Sequence, residues 1–105
     1  MWRVLDDKEQ RAVAVVVGLL ETRGPNLPFP YSSAIHASRH GHMRELRCQC
    51  GGNSLRVLYA FDPRRVAILL LGGDKTGKDR WYEIFVPIAD KLYDEHLLEI
   101  GSDSL

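Results

Sequence analysis

The chain has 105 residues, 45% of them hydrophobic and 27% charged, with a formal net charge of zero. That make-up fits one ordinary globular domain with enough apolar mass to build a core. It also excludes a membrane-spanning protein, since no run approaches the roughly 20 apolar residues a span requires, and "MWRVLDDKEQ" lacks the basic start and apolar stretch of a signal peptide. A cytoplasmic protein is therefore expected.

In chain order, Val13, Val16, Val17 and Leu20 fall at i, i+3, i+4 and i+7, the stripe of an amphipathic helix. Asp6 with Glu9 three residues later forms a capping pair, and Gly24-Pro25 stops the run, so a helix over about 7–22 is predicted. Residues 24–41 hold three prolines after Gly24 and no sustained period, which reads as an ordered connector over the core. "MRELRC" (43–48) then alternates, "LRVLYAF" (55–61) places Leu55, Val57, Tyr59 and Phe61 on one face, and "VAILLL" (66–71) is apolar throughout, as expected of a central strand. Turn chemistry at "GGN" and "DPRR" separates these runs into an antiparallel meander. Beyond it, Trp81, Ile84, Phe85, Ile88 and Leu92 recur at helical spacing and predict a helix of about 80–97, kinked or broken at Pro87, followed by a polar tail over 99–105. The fold class is α+β: a small antiparallel sheet with one face packed against N-terminal and C-terminal helices, in a single domain spanning 1–105.

Between the last strand and the last helix, "LLLGGDKTGKD" is nearly a nucleotide-binding P-loop. It fails where a P-loop needs Ser or Thr for magnesium and this chain has Asp79, and 105 residues leave no room for a parallel sheet with its crossover helices. Cys48 and Cys50, with His36, His40 and His42 upstream, match no common zinc module, so two thiols and no metal or cofactor are expected. Charge is unevenly distributed. Between Arg39 and Arg80 nine Lys or Arg face four Asp or Glu, a local balance of +5 offset by −5 elsewhere, which suggests a basic face for a polyanion.

Four blocks, "SRHGHMRELR", "LRVLYAFDPRR", "LLLGGDKTGKDRWY" and "PIADKLYDEHL", closely resemble in order and spacing the RelE/ParE superfamily of type II toxins, and within it the phage-derived, HigB-like branch. The similarity spans about residues 24–98. It implies a RelE-like sheet with flanking helices and, for many members, a metal-independent endoribonuclease that cuts mRNA on the ribosome and is neutralised by a cognate helix-turn-helix, HigA-like antitoxin. A dimer or a toxin–antitoxin hetero-oligomer is the assembly implied. Relatives usually begin with a full strand and a helical hairpin, whereas "MWRV" leads almost directly into one helix, so the N-terminal part reads as shortened.

Cutting RNA without metal requires activating the ribose 2′-hydroxyl, stabilising the added negative charge and protonating the leaving oxygen. Arg56 alternates away from Leu55, Val57 and Tyr59, so it projects from the other face of the sheet, where its bidentate fork suits the scissile phosphate. Arg47 resembles the superfamily's recurrent basic position on the preceding strand, and Arg44, three residues earlier, falls on the opposite face. Glu45 shares Arg47's face as its ion-pair partner or as a proton acceptor. Lys75, on the glycine-flanked turn, resembles the basic residue of that turn, and Tyr82 is expected to stack on a base or orient the phosphate. Lys78, Arg80, His42 and Arg44 complete the expected RNA-binding set, while Trp81 reads as packing. Two other readings stay open: a ParE-like toxin acting on DNA gyrase, and an inactive remnant that only binds antitoxin.

Overall fold

A computed structural model describes residues 5–103, with side chains over 5–101. The opening "MWRV", and with it the expected shortening of the N-terminal strand, lies outside the described residues, as do residues 104–105. Helix α1 (Asp7–Arg23) starts at a complete capping box: Asp6 Oδ1 accepts the Glu9 amide at 2.7 Å and Glu9 Oε1 accepts the Asp6 amide at 3.2 Å. Gly24, at φ 56°, closes the helix by donating its N–H to Leu20 O, a backbone conformation for which glycine has no Cβ penalty. The β-branched run thus stays helical, because caps fix both ends and Val16 and Leu20 are buried.

A 3₁₀ turn (Gly24–Asn26) leads to β1 (Ser32–Ala34), then β2 (Arg44–Cys50), β3 (Asn53–Phe61), β4 (Ala67–Asp74) and α2 (Trp81–Asp103). The strands form one antiparallel sheet in the order β1-β2-β3-β4, so the α+β meander is present. Strand β1 lies inside the expected connector. It is only three residues long and too short to alternate, but its Ser32 hydroxyl is buried 2.6 Å from the Tyr59 hydroxyl and accepts from Arg44 Nε at 2.9 Å.

Two expectations are corrected. The helices do not share a face of the sheet: Leu55, Val57 and Tyr59 join Leu46, Cys48 and Cys50 under α1, whereas Leu58, Ala60 and Leu71 pack with Trp81, Val86, Ala89 and Tyr93 of α2. Residues 66–71 are not central either, because β4 is an edge strand among the described residues, and Val66 and Leu69 are 46% and 45% exposed. An unbroken apolar run is silent about a strand's neighbours, and at this edge it does not mean that both faces are covered.

Pro87 does not break α2, which also continues to Asp103 through most of the expected polar tail. Pro87 and the preceding-turn Glu83 are both exposed, so the carbonyl that loses its helical donor can turn to water. Gly73 opposes Arg56 across the β3–β4 ladder, and a Cβ on it would stand 3.2 Å from the Trp81 indole nitrogen. That close approach seats the start of α2 on the sheet. No helix among the described residues is long and apolar enough to cross a membrane.

Candidate active site

Strand alternation puts Glu45, Arg47 and Arg56 on the α2 side of the sheet, with Arg47 directly opposite Arg56. There the first turn of α2 delivers Tyr82, whose hydroxyl donates to Glu45 Oε1 at 2.6 Å. The same carboxylate lies 3.3 Å from Arg56 Nε and 3.4 Å from Arg47 Nη1. Glu45 and Arg56 are each 5% exposed in their side chains and Arg47 is 30% exposed. Arg56 also donates to its neighbour Leu55 O at 2.9 Å. It is therefore a buried, charge-paired residue rather than one projecting freely from the sheet. Burial in an apolar setting is tolerable for a guanidinium only when an anion stands against it, and Glu45 supplies that anion.

Lys75 reaches the same group from the turn. Its backbone is tied by Lys75 N–H to Ser54 O at 2.9 Å, and Asp74 Oδ1 accepts the Thr76 amide at 2.9 Å. Gly77, at φ 67°, provides the left-handed step of this turn. Lys75 Nζ then sits 5.8 Å from the Tyr82 ring centroid, within cation–π range. Burial pushes the Tyr82 phenol up, and the hydrogen bond to Glu45 and its charge push the same way against an opposing pull from Arg56. Tyr82 consequently remains a neutral donor, not a phenolate base. Its ring is already flanked by Trp81, edge-on at 5.3 Å, and by Lys75.

Four expected site residues, Arg47, Arg56, Lys75 and Tyr82, thus come together, with Glu45 at their centre. Three cations and one carboxylate leave an excess of positive charge. The other four stand apart from Glu45. Lys78 and Arg80 are exposed on the turn, Arg80 pairing with Glu83 at 3.0 Å. Arg44 lies on the α1 face, bonded to Ser32. His42 lies against Tyr93, its Nε2 3.0 Å from the phenol oxygen, and eleven residues of helix separate Tyr93 from Tyr82, roughly 16 Å along the axis.

Around Tyr93 a second polar group anchors α2. Tyr93 donates to Phe61 O at 2.8 Å, His40 Nε2 lies 2.8 Å from Asp94 Oδ1, and His96 Nε2 lies 2.9 Å from Asp62 Oδ2. Asp62, whose side chain is fully buried, also accepts from Arg64 Nη2 at 2.7 Å and from the Arg64 and Val66 amides. Burial alone would raise its carboxyl, but the hydrogen bonds from His96, Arg64 and the two amides outweigh it and hold the group well below its ordinary 3.8. A carboxyl depressed on folding adds stability above its unfolded value and loses it as pH falls toward the folded one. Asp62→Asn should therefore lower the denaturation midpoint at pH 7, and the gap from wild type should shrink below about pH 4. Urea titrations at pH 7 and pH 3 check this; a gap of equal size at both would show that the carboxylate charge is not its source.

Cys48 and Cys50 are both buried and free. Burial and the neighbouring Cys50 push the Cys48 thiol up, against Arg56, so it stays protonated and unreactive. No cluster of three or more His, Cys, Asp or Glu that could hold a metal occurs among the described residues.

Comparison with known proteins follows the same direction. The family described as "Phage derived protein Gp49-like (DUF891)" matches residues 1–94. A Mycobacterium tuberculosis (strain ATCC 25618 / H37Rv) protein named "Putative toxin HigB3" is 48% identical over 81 residues, covering 76% of this chain and 69% of that protein. Another from the same organism, named "Putative toxin HigB2", is 39% identical over 97 residues, covering 90% of this chain and 48% of its own length. The chain spans about half the length of the latter. No solved structure matches. With a family match over residues 1–94 and these relatives alongside, the four blocks read from the sequence have their explanation: the chain belongs to the phage-derived Gp49-like family.

Proposed function

We propose that this chain is the toxin of a type II toxin–antitoxin pair, and that it is an endoribonuclease cutting mRNA on the ribosome. The observation carrying this reading is the convergence of Arg47, Arg56, Lys75 and Tyr82 on Glu45. In the reaction the ribose 2′-oxygen attacks the adjacent phosphorus and the bond to the 5′-oxygen breaks, leaving a 2′,3′-cyclic phosphate and a 5′-hydroxyl. The 2′-proton leaves and the 5′-oxygen gains one. Negative charge builds on the phosphoryl oxygens between these events, and preorganised cations stabilise it most. Arg56 and Arg47 serve that charge, and Tyr82 offers a neutral hydroxyl. Glu45, engaged by two guanidiniums and a phenol, acts as the ion-pair anchor that orients them. Its neutralising partner in the cell is a helix-turn-helix antitoxin.

Lys75 gives the cleanest test, because it is only half-buried on a turn whose geometry rests on its backbone, Asp74 and Thr76. In a translating extract the wild-type chain should cut the message, mapped by primer extension, and Lys75→Ala should cut about a hundredfold more slowly with an unchanged circular dichroism spectrum. Gyrase-linked DNA breaks with intact message would move the assignment to the gyrase-directed reading. Antitoxin binding without either activity would make the chain a remnant.

A further inference from the structure

We propose that Phe29 and Arg47 form a stacking subsite for an unpaired RNA base beside the scissile phosphate, an inference that rests on the endoribonuclease reading above. Phe29 is 68% exposed and Tyr31 42% exposed, on either side of Pro30. A large ring facing water has no stabilising role in the core, and here it is held in place. Tyr31 N–H and Ser32 N–H both donate to Pro28 O at 3.0 Å, and Tyr31 O accepts the Arg47 amide at 2.9 Å, which fixes the segment to the edge of β2. The Arg47 guanidinium lies 5.1 Å from the Phe29 ring centroid. That same side chain reaches Glu45, so one residue links the exposed ring to the cationic cluster.

An open cleft of about 430 Å³ adjoins this edge, lined by Val15, Val16, Pro30, Tyr31, Arg47 and Arg56 among others. Its walls are apolar and its charged members are both arginines. On the α2 side of the sheet Arg56 Nε is buried 3.3 Å from Glu45 Oε1, with no aligned hydrogen-bond acceptor among the described residues. A rigid aromatic beside guanidiniums is the combination that binds single-stranded nucleic acid, the ring taking a base and the cations its phosphates. A protein partner would be served by the apolar wall but would make no use of the positive charge that Arg47, Arg56 and Lys75 keep in excess of Glu45. Tyr82, the other aromatic of the site, is less available for stacking because Trp81 and Lys75 already flank its ring.

The test uses ribosomes programmed with a message whose cleaved nucleotide is 2′-deoxy, so that it binds without reacting, and which carries 2-aminopurine at a flanking position. Wild-type chain should quench that fluorescence at one flanking position. Phe29→Leu, which keeps apolar bulk but has no π face, should lose the quench; with ordinary message it should raise KM about tenfold while kcat falls less, and Phe29→Trp should restore both. If wild type cuts message and Phe29→Leu matches it in KM and quench, the stacking subsite is overturned while the endoribonuclease reading stands. If Phe29→Leu instead weakens only antitoxin capture, the face is a protein surface and the proposal is likewise overturned. A wild-type chain that neither cuts nor quenches removes the parent reading and this one with it.

Discussion

Arg56→Ala is expected to lose both cleavage and stability. Under the proposed function, removing the guanidinium would take away a preorganised cation that stabilises the phosphoryl charge as it develops, a loss of about a hundredfold or more in rate. It also leaves Glu45, 5% exposed, without its buried partner. Deleting one member of a buried ion pair costs about 3–5 kcal/mol, and Arg47 and the Tyr82 hydroxyl, which still reach Glu45, place this case at the lower end. Urea denaturation measures the second effect, and cleavage per folded molecule measures the first. Arg56→Lys separates them: it keeps a charge near Glu45 but lacks the bidentate fork, so stability should largely recover while cleavage stays low. Wild-type cleavage by folded Arg56→Ala would remove Arg56 from the site.

What the sequence shows and hides follows from the range of each signal. The Asp6–Glu9 box, the Leu55-Val57-Tyr59 alternation and the packing of Trp81 are local patterns, and all three appear in the structure. Strand β1 has no such pattern, being defined by pairing with β2 rather than by its own residues. Nor does periodicity say which face of a sheet a helix covers, so α1 and α2 could be read onto one face when they take opposite ones. In the candidate site, alternation separated Arg47 from Arg44, and the family resemblance singled out Arg47 and the Lys75 of the glycine-flanked turn, both of which the structure brings to the Arg56 group. The centre of the group, Glu45, read only as an ion-pair partner of Arg47 or a proton acceptor, because its contacts with Arg56 and Tyr82 span 11 and 37 residues of sequence. His42 was legible only as a histidine near a strand, and the structure assigns it to the anchor of α2 at Tyr93. That anchor depends on Asp62, whose "DPRR" context signals only a turn.

Cleavage is expected to depend strongly on the ribosome. The cluster around Glu45 holds three cations and a neutral phenol, while the described hydrogen bonds of the His40, His42 and His96 rings run to Asp94, Tyr93 and Asp62, away from it. Such a cluster stabilises charge, and beyond one stacked base at Phe29 it has little with which to align a flexible strand. In-line attack by the 2′-oxygen requires that alignment, and orientation of reacting groups can supply roughly 7–11 kcal/mol of a barrier. Were ribosomal RNA to supply even about 3 kcal/mol of it, the same transcript would be cut over a hundredfold faster on stalled ribosomes than free in solution. The measurement is the cleavage rate of one end-labelled transcript with and without stalled ribosomes, using Lys75→Ala as the folded, slow-cutting control. Equal, rapid cleavage in both arms would mean that the chain positions its own substrate and acts as a free ribonuclease. With the expected ratio, raising the salt concentration should weaken the ribosomal arm, because cationic contacts to phosphates release counterions.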